Sequence, residues 1–140
     1  MQMKLSKMNY YYEVKGIGNR RKTIENIAKN ALNATMIVPS SDNNESKYKV
    51  KLFPHHPLVS EIGTKLATDY YPQIDFAVAW RYDPLIDEFR LNARACPQSN
   101  IDLSFVMKKF PNGGGHPKVG ACTIPSGSTF RTFFENVHKS

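Results

Sequence analysis

The sequence predicts an α/β fold: a mixed sheet of about five strands with helices packed on it. Two kinds of apolar pattern alternate along the chain, one with helical spacing and one with the period of two that is typical of strands. The 140 residues suit a single domain, and 41% hydrophobic with 11% aromatic residues is ordinary for a globular protein. This composition excludes an intrinsically disordered chain.

Four helices are predicted. The apolar residues from Ile24 to Leu32 place a first helix at about 21–34, and those from Leu58 to Ala67 place a second at about 57–69. Asp102 suits the N-cap of a short third helix with Leu103, Phe105, Val106 and Phe110 on one face. Ser126 or Ser128 is expected to cap a final helix that carries Phe130, Phe133, Phe134 and Val137.

The strands are predicted from short apolar or alternating runs. Residues 35–53 indicate a hairpin with a long polar loop, because 48–53 alternates apolar and basic residues. The apolar run 75–80 favours a central strand, and 89–94 alternates apolar with polar residues and forms an antiparallel pair with it. Residues 119–124 form a last strand.

The net charge of +7 favours an anionic partner, such as a nucleotide phosphate or nucleic acid. The basic excess is concentrated near the N-terminus, so we divide the chain into a basic arm, residues 1–20, and a domain, residues 21–140. A merely solvated basic face is the alternative explanation of this charge.

The two cysteines, Cys96 and Cys122, lie too far apart in sequence for zinc-ligand spacing. They form either a disulfide or, as we favour, two free buried thiols. The N-terminal residues lack the apolar core of a secretory signal, and no apolar run has membrane-spanning length. We therefore expect a cytoplasmic protein.

The most informative segment is a glycine loop, Gly113-Gly114-Gly115, followed by His116 and Lys118. Consecutive glycines are costly in backbone entropy unless the backbone needs unusual dihedrals or must let a ligand approach closely. Their N–H groups can converge on an anion in a concave nest, with His116 and Lys118 as further donors. The alternative is a flexible surface turn after a helix.

The run from Asn100 to Lys118 resembles the "IDVS-x-IAKKFGGGGHPKAAGF" signature of the DHH-associated domain, the substrate-binding half of DHH phosphoesterases. These enzymes include RecJ-type nucleases, oligoribonuclease and pAp-phosphatase enzymes, and cyclic-dinucleotide phosphodiesterases. Residues 91–95 resemble the family's "SLRS" strand, and residues 60–67 its "SEVGNxLA" helix. The resemblance covers about residues 47–125, with Asn112 in place of a first glycine and Ala95 in place of a serine.

The resemblance implies which residues bind substrate. The glycine loop and its histidine would cradle the phosphate and sugar, and the strand arginine would meet phosphate or base. With the lysine that follows the loop, the expected substrate-binding residues are Arg94, Gly113, Gly114, Gly115, His116 and Lys118. Arginine suits phosphate oxygens because its planar fork donates two hydrogen bonds at once.

The resemblance also implies that hydrolysis belongs to a preceding DHH domain, whose residues hold two metal ions, Mn²⁺ or Mg²⁺. This chain has no Asp-His-His, and its adjacent His55 and His56 lie between prolines. We therefore expect no catalytic residue and no metal ligand here, and hydrolysis only with a DHH catalytic subunit as partner.

Three functions stay open at the level of sequence. The first is a module that binds a nucleotide or short single-stranded nucleic acid. The second is a C-terminal fragment or split subunit of a metal-dependent phosphodiesterase or exonuclease. The third is a non-catalytic interaction protein whose basic arm docks on RNA or a larger complex.

Overall fold

A computed structural model describes residues 19–40, 44–124 and 128–139, and shows an α/β fold with a seven-stranded mixed open sheet and four helices. The helices are α1 (residues 19–29), α2 (Val59–Asp69), α3 (Leu103–Met107) and α4 (Phe130–Phe133). The strands are β1 (Leu32–Pro39), β2 (Glu45–Pro54), β3 (Phe76–Asp83), β4 (Glu88–Arg94), β5 (Gly114–His116), β6 (Val119–Thr123) and β7 (Phe134–His138).

The strand order is β5-β6-β4-β3-β2-β1-β7. Strands β2 and β3 pair in parallel through the α2 crossover, and the other pairs are antiparallel. The predicted α/β class, the β1–β2 hairpin, the central β3 and the β3–β4 pair are confirmed. Two strands beyond the predicted five are present: β5 lies within the glycine loop, and β7 lies in the segment predicted as the last helix.

Each face of the sheet has its own core. On one face α1 and α2 bury Ala28, Ile62 and Leu66 against Phe53, Ala77 and Ala79. On the other face α3 and α4 pack against the side chains of alternate residues, among them Met36, Leu52, Val78, Leu91 and Cys122. We call these the α2 face and the α3 face.

The predicted first helix over 21–34 is wrong at its C-terminal end. The helix ends at Lys29, and Leu32 already begins β1. Ala34, Met36 and Val38 are buried at a period of two, and β1 is paired on both sides, with β2 and β7. Burial between two strands therefore determines the conformation of a segment whose apolar residues also fit helical spacing.

The predicted final helix is also largely wrong. Only Phe130–Phe133 is helical, its N-cap residue is Thr129 rather than Ser128, and Ser126 lies outside the described residues. Phe134 pairs with Met36 and is buried in the α3 face, so the chain turns into β7. Asn136 has a φ of 54°, and the register shift beside it gives β7 an irregularity that the spacing of aromatic residues did not indicate.

The second and third helices are confirmed. Helix α2 spans eleven residues close to the predicted bounds, and Asp102 caps α3 by accepting the Ser104 N–H at 3.0 Å. Phe105, however, does not share the buried face of α3, since 62% of it is exposed. Within the described residues no helix combines the length and apolarity that a membrane crossing needs.

Both cysteines are free and buried, as favoured from the sequence. Burial raises the pKa of the Cys122 thiol to about 12. The thiolate is the reactive form of cysteine, so such a thiol is chemically inert at neutral pH.

We expect the native protein to react slowly with a disulfide reagent such as DTNB, and both thiols to titrate at once in denaturant. Stopped-flow absorbance would measure this, with Cys122→Ala and Cys96→Ala assigning each phase. A fast phase in the native protein that disappears in Cys122→Ala would contradict the buried position of this thiol.

Candidate functional site

Arg94 and His116, predicted to share a site, lie in one cross-strand row. Arg94 on β4 is directly opposite Val119 on β6, and Val119 is directly opposite His116 on β5. Directly opposite residues of antiparallel strands project from the same face of a sheet. The Cα atoms of Arg94 and His116 are therefore about 10 Å apart, two strand spacings, on a common face.

That common face is the α2 face. The neighbour of Arg94 on β3 is Ala77, which belongs to the core beneath α2. The Arg94 Nη2 donates to the Oγ of Ser60, in the first turn of α2, at 2.7 Å. Gly63 makes this approach possible, because a Cβ there would lie 2.8 Å from the Arg94 Cγ. Sequence reasoning quoted both residues in the helix motif but gave neither a role in the site.

Two further arginines lie on the same face. Arg90 is opposite Arg81 on β3 and Thr123 on β6, and Asn92 lies between Arg90 and Arg94 along β4. Arg81, Arg90 and Asn92, with Asn112 from the glycine loop, line a cavity of about 210 Å³. We call the set Arg81, Arg90, Asn92, Arg94 and His116 the arginine face.

Arg90 has an unsatisfied donor. Its Nε is buried and, within the described part of the chain, has no hydrogen-bond partner, while Asp83 Oδ2 lies 3.6 Å away as a long ion pair. A buried donor without an acceptor costs about 1–3 kcal/mol.

The structure requires glycine at two of the three loop positions, for a different reason at each. A Cβ on Gly113 would lie 1.6 Å from the carbonyl oxygen of Met107, at the end of α3. Gly115 has a φ of 135°, which side chains rarely adopt, and a Cβ there would lie 2.3 Å from the carbonyl oxygen of Val119. At Gly114 a Cβ would meet no atom of the described residues within 4 Å. The fold itself therefore requires Gly113 and Gly115, whereas Gly114 borders open space.

The predicted convergence of three consecutive N–H groups on one anion does not fit this backbone. The Gly113 N–H is bonded to the carbonyl of Phe110 at 3.2 Å, and Gly114 to His116 form β5. Successive amides of an extended strand point to opposite sides, so they do not form a concave nest. As an edge strand, β5 instead presents backbone groups along its outer side.

Lys118 braces the turn between β5 and β6. Its Nζ donates to the carbonyl oxygens of Ser99 and Ile101, the latter at 2.7 Å. The carbonyls of Pro117 and Lys118 accept from Leu103 and Ala95 at 2.8 and 3.0 Å. Two of the three ammonium protons are thus engaged within the protein, and the same turn holds the exposed His116 in place.

The adjacent histidines lie far from this arrangement in sequence and show no metal geometry. The Nδ1 of His56 accepts the Leu58 N–H at 3.0 Å, and His55 is exposed. Across residues 19–40, 44–124 and 128–139, no three His, Cys, Asp or Glu side chains group closely enough to hold a metal ion.

The glycine geometry predicts opposite outcomes for two neighbouring substitutions. Gly113→Ala should lower the free energy of unfolding by about 3 kcal/mol, because the new methyl group overlaps backbone that cannot move cheaply. Gly114→Ala, the matched control, should stay within about 0.5 kcal/mol of the wild type. Urea unfolding followed by circular dichroism measures both. Equal losses in the two variants would show that the described loop geometry is wrong.

Comparisons with known proteins give a distant match. No protein-family model and no curated protein matches the chain. The fold is similar to part of the pGpG-specific phosphodiesterase PggH from Vibrio cholerae, with a TM-score of 0.41 and 19% sequence identity. The match covers 59% of this chain and 30% of that enzyme's chain. This likeness to a phosphodiesterase is partial.

Proposed function

We propose that the chain binds the phosphate group of a nucleotide or of a short single-stranded nucleic-acid end on the arginine face. The observation that supports this most directly is the row of Arg94, Val119 and His116 across three neighbouring strands. The row gives a guanidinium and an imidazole on one side of the sheet, separated by a distance that a phosphate with its sugar can span.

The chemistry of the arginine face suits an anion with several oxygens. Guanidinium groups donate paired hydrogen bonds to phosphate, and such charge-assisted bonds are about twice as strong as neutral ones. Arg90 lines the adjoining cavity, and Arg94 is held by Ser60 in a fixed direction. The fixed direction lowers the entropy lost on binding.

Gly114 and the outer side of β5 suit the rest of the ligand. The space beside Gly114 is open, so a sugar or base can approach the backbone there without meeting a side chain. Backbone groups on the free edge of β5 offer donors and acceptors for sugar hydroxyls or base edges. Lys118 contributes mainly by fixing the turn that carries His116.

Binding rather than hydrolysis is the function we propose for this chain by itself. In the DHH phosphoesterases that the glycine-histidine motif resembles, a separate domain holds the two metal ions that activate water. A DHH catalytic domain, in a second subunit or in a longer form of this polypeptide, would supply that chemistry. The arginine face would then present a phosphate to it.

Two substitutions test the arginine face directly. Arg94→Ala and His116→Ala should each weaken binding of a labelled short oligonucleotide or a mononucleotide by about 1–3 kcal/mol, roughly 5- to 150-fold in Kd. Fluorescence anisotropy and calorimetry measure this at a fixed salt concentration. Arg131→Ala is the matched control, since Arg131 is an exposed arginine on α4, on the opposite side of the sheet. Unchanged affinity in both site variants would end the assignment.

The basic arm gives a competing explanation, which a second variant separates. Replacing Lys4, Lys7 and Lys15 by glutamine should leave oligonucleotide affinity close to wild type if the arginine face binds the ligand. If the arm binds the ligand, affinity should instead fall in this variant and should not change when His116 is replaced. The dependence of affinity on salt concentration should also become weaker once the lysines are removed. Anisotropy titrations over a range of salt concentrations distinguish the two results.

A further inference from the structure

A second polar cavity lies on the α2 face, at the other end of the sheet from the arginine face. It has a volume of about 490 Å³ and opens where β2, β1 and β7 extend beyond α2. Its polar lining includes Asn33, Lys49, Lys51, Tyr70, Gln73 and His138. Among the described residues that line it there is no carboxylate.

The strand register brings the polar residues of this cavity together on one face, as it does for the arginine face. Lys51 on β2 is directly opposite Asn33 on β1, and Asn33 is directly opposite His138 on β7. Lys49 lies two residues before Lys51 and so projects from the same face. The cavity floor thus carries two ammonium groups, a side-chain amide and an imidazole.

Lys51 is the unusual member of this set. Only 3% of its surface is exposed, and its Nζ lies 4.2 Å from the centre of the Tyr70 ring. Within the described ranges, none of the ion pairs or side-chain hydrogen bonds involves this ammonium group. Asp75 accepts the backbone N–H of Lys49 at 2.8 Å rather than pairing with either lysine side chain.

Lys47 lies on the same strand and the same face as Lys51 but has a carboxylate partner. It is paired with Glu135 at 3.0 Å in solvent, and that carboxylate raises its pKa. Burial lowers the pKa of Lys51, because desolvation disfavours the charged form. A buried cation whose one partner among the described residues is an aromatic ring is costly, and the bound state of an anion would remove that cost.

We propose that this cavity binds a small phosphate-bearing molecule, with Lys51 as its principal ligand. A phosphate dianion matches two neighbouring ammonium groups, which bind it as point charges, and the amides of Asn33 and Gln73 can donate to further oxygens. The His138 Nδ1 donates to the Asn136 carbonyl at 2.6 Å, so its Nε2 can donate to a phosphate oxygen only when the ring is an imidazolium. The volume is that of an ordinary small-molecule site.

This site is separate from the arginine face. Helix α2 packs over β3 between the two, and the arginine face lies on β3, β4, β6 and β5, whereas the cavity lies on β2, β1 and β7. Its occupancy does not depend on the function proposed above. A variant of one site therefore serves as a control for the other.

The experiment is an NMR titration of the full chain with inorganic phosphate, at constant ionic strength maintained with chloride, with the affinity of this cavity taken from the shifts of the residues that line it. Lys51→Met keeps the bulk of the side chain and should weaken phosphate binding about tenfold or more, the loss expected for one charge-assisted hydrogen bond. Lys47→Met is the matched control and should bind as the wild type does. Arg94→Ala should leave the NMR shifts at Asn33, Gln73 and His138 unchanged.

A second variant keeps the test decisive if Lys51→Met does not fold. Gln73 is exposed, so Gln73→Glu should fold normally, and its carboxylate should abolish the phosphate-induced shifts by repulsion. Wild-type affinity in Lys51→Met or in Gln73→Glu overturns the proposal. So does an equal loss in Lys47→Met, which would indicate general attraction to the lysines of β2.

Discussion

Packing of α2 across the centre of the sheet is the constraint on which the rest of this structure depends. Strand β3 presents Ala77 and Ala79 to the helix, and their small side chains let Ile62 and Leu66 close the core with no exposed surface. Larger residues on β3 would lift the helix, since interiors are close-packed. Helix α2 contacts β3 and β4, and polar side chains lie at both of its ends.

The position of α2 also fixes the direction of the polar groups around it. Gly63 brings the helix against the stem of Arg94, and Ser60 then accepts from its guanidinium. At the other end of the helix, Tyr70 lies against the ammonium of Lys51. One helix therefore holds a cation at each of its ends, both of them on strands that neighbour β3.

The sequence was sufficient for features that depend on local pattern. Helix α2, the central β3 and the Asp102 cap follow from periodicity and cap chemistry, as the structure shows. Local sequence patterns were insufficient for features that depend on pairing between strands. Residues 32–34 become strand because β2 and β7 flank them, and Asn33, Lys51 and His138 share one face only through the register of β1, β2 and β7. Such juxtapositions join residues far apart in the chain, so no local pattern contains them.

The glycine loop has structural roles that also bear on the proposed binding of a ligand by His116. Gly113 and Gly115 are needed so that the chain can pass close to Met107 and Val119. Lys118 donates two hydrogen bonds to backbone carbonyls, which fix the turn that follows the loop. These are structural uses, yet they make the position of His116 rigid at the end of a short edge strand. A binding residue on a mobile turn would lose entropy when its ligand arrives. In the proposed function, the residues that touch no ligand are thus the ones that fix the position of His116.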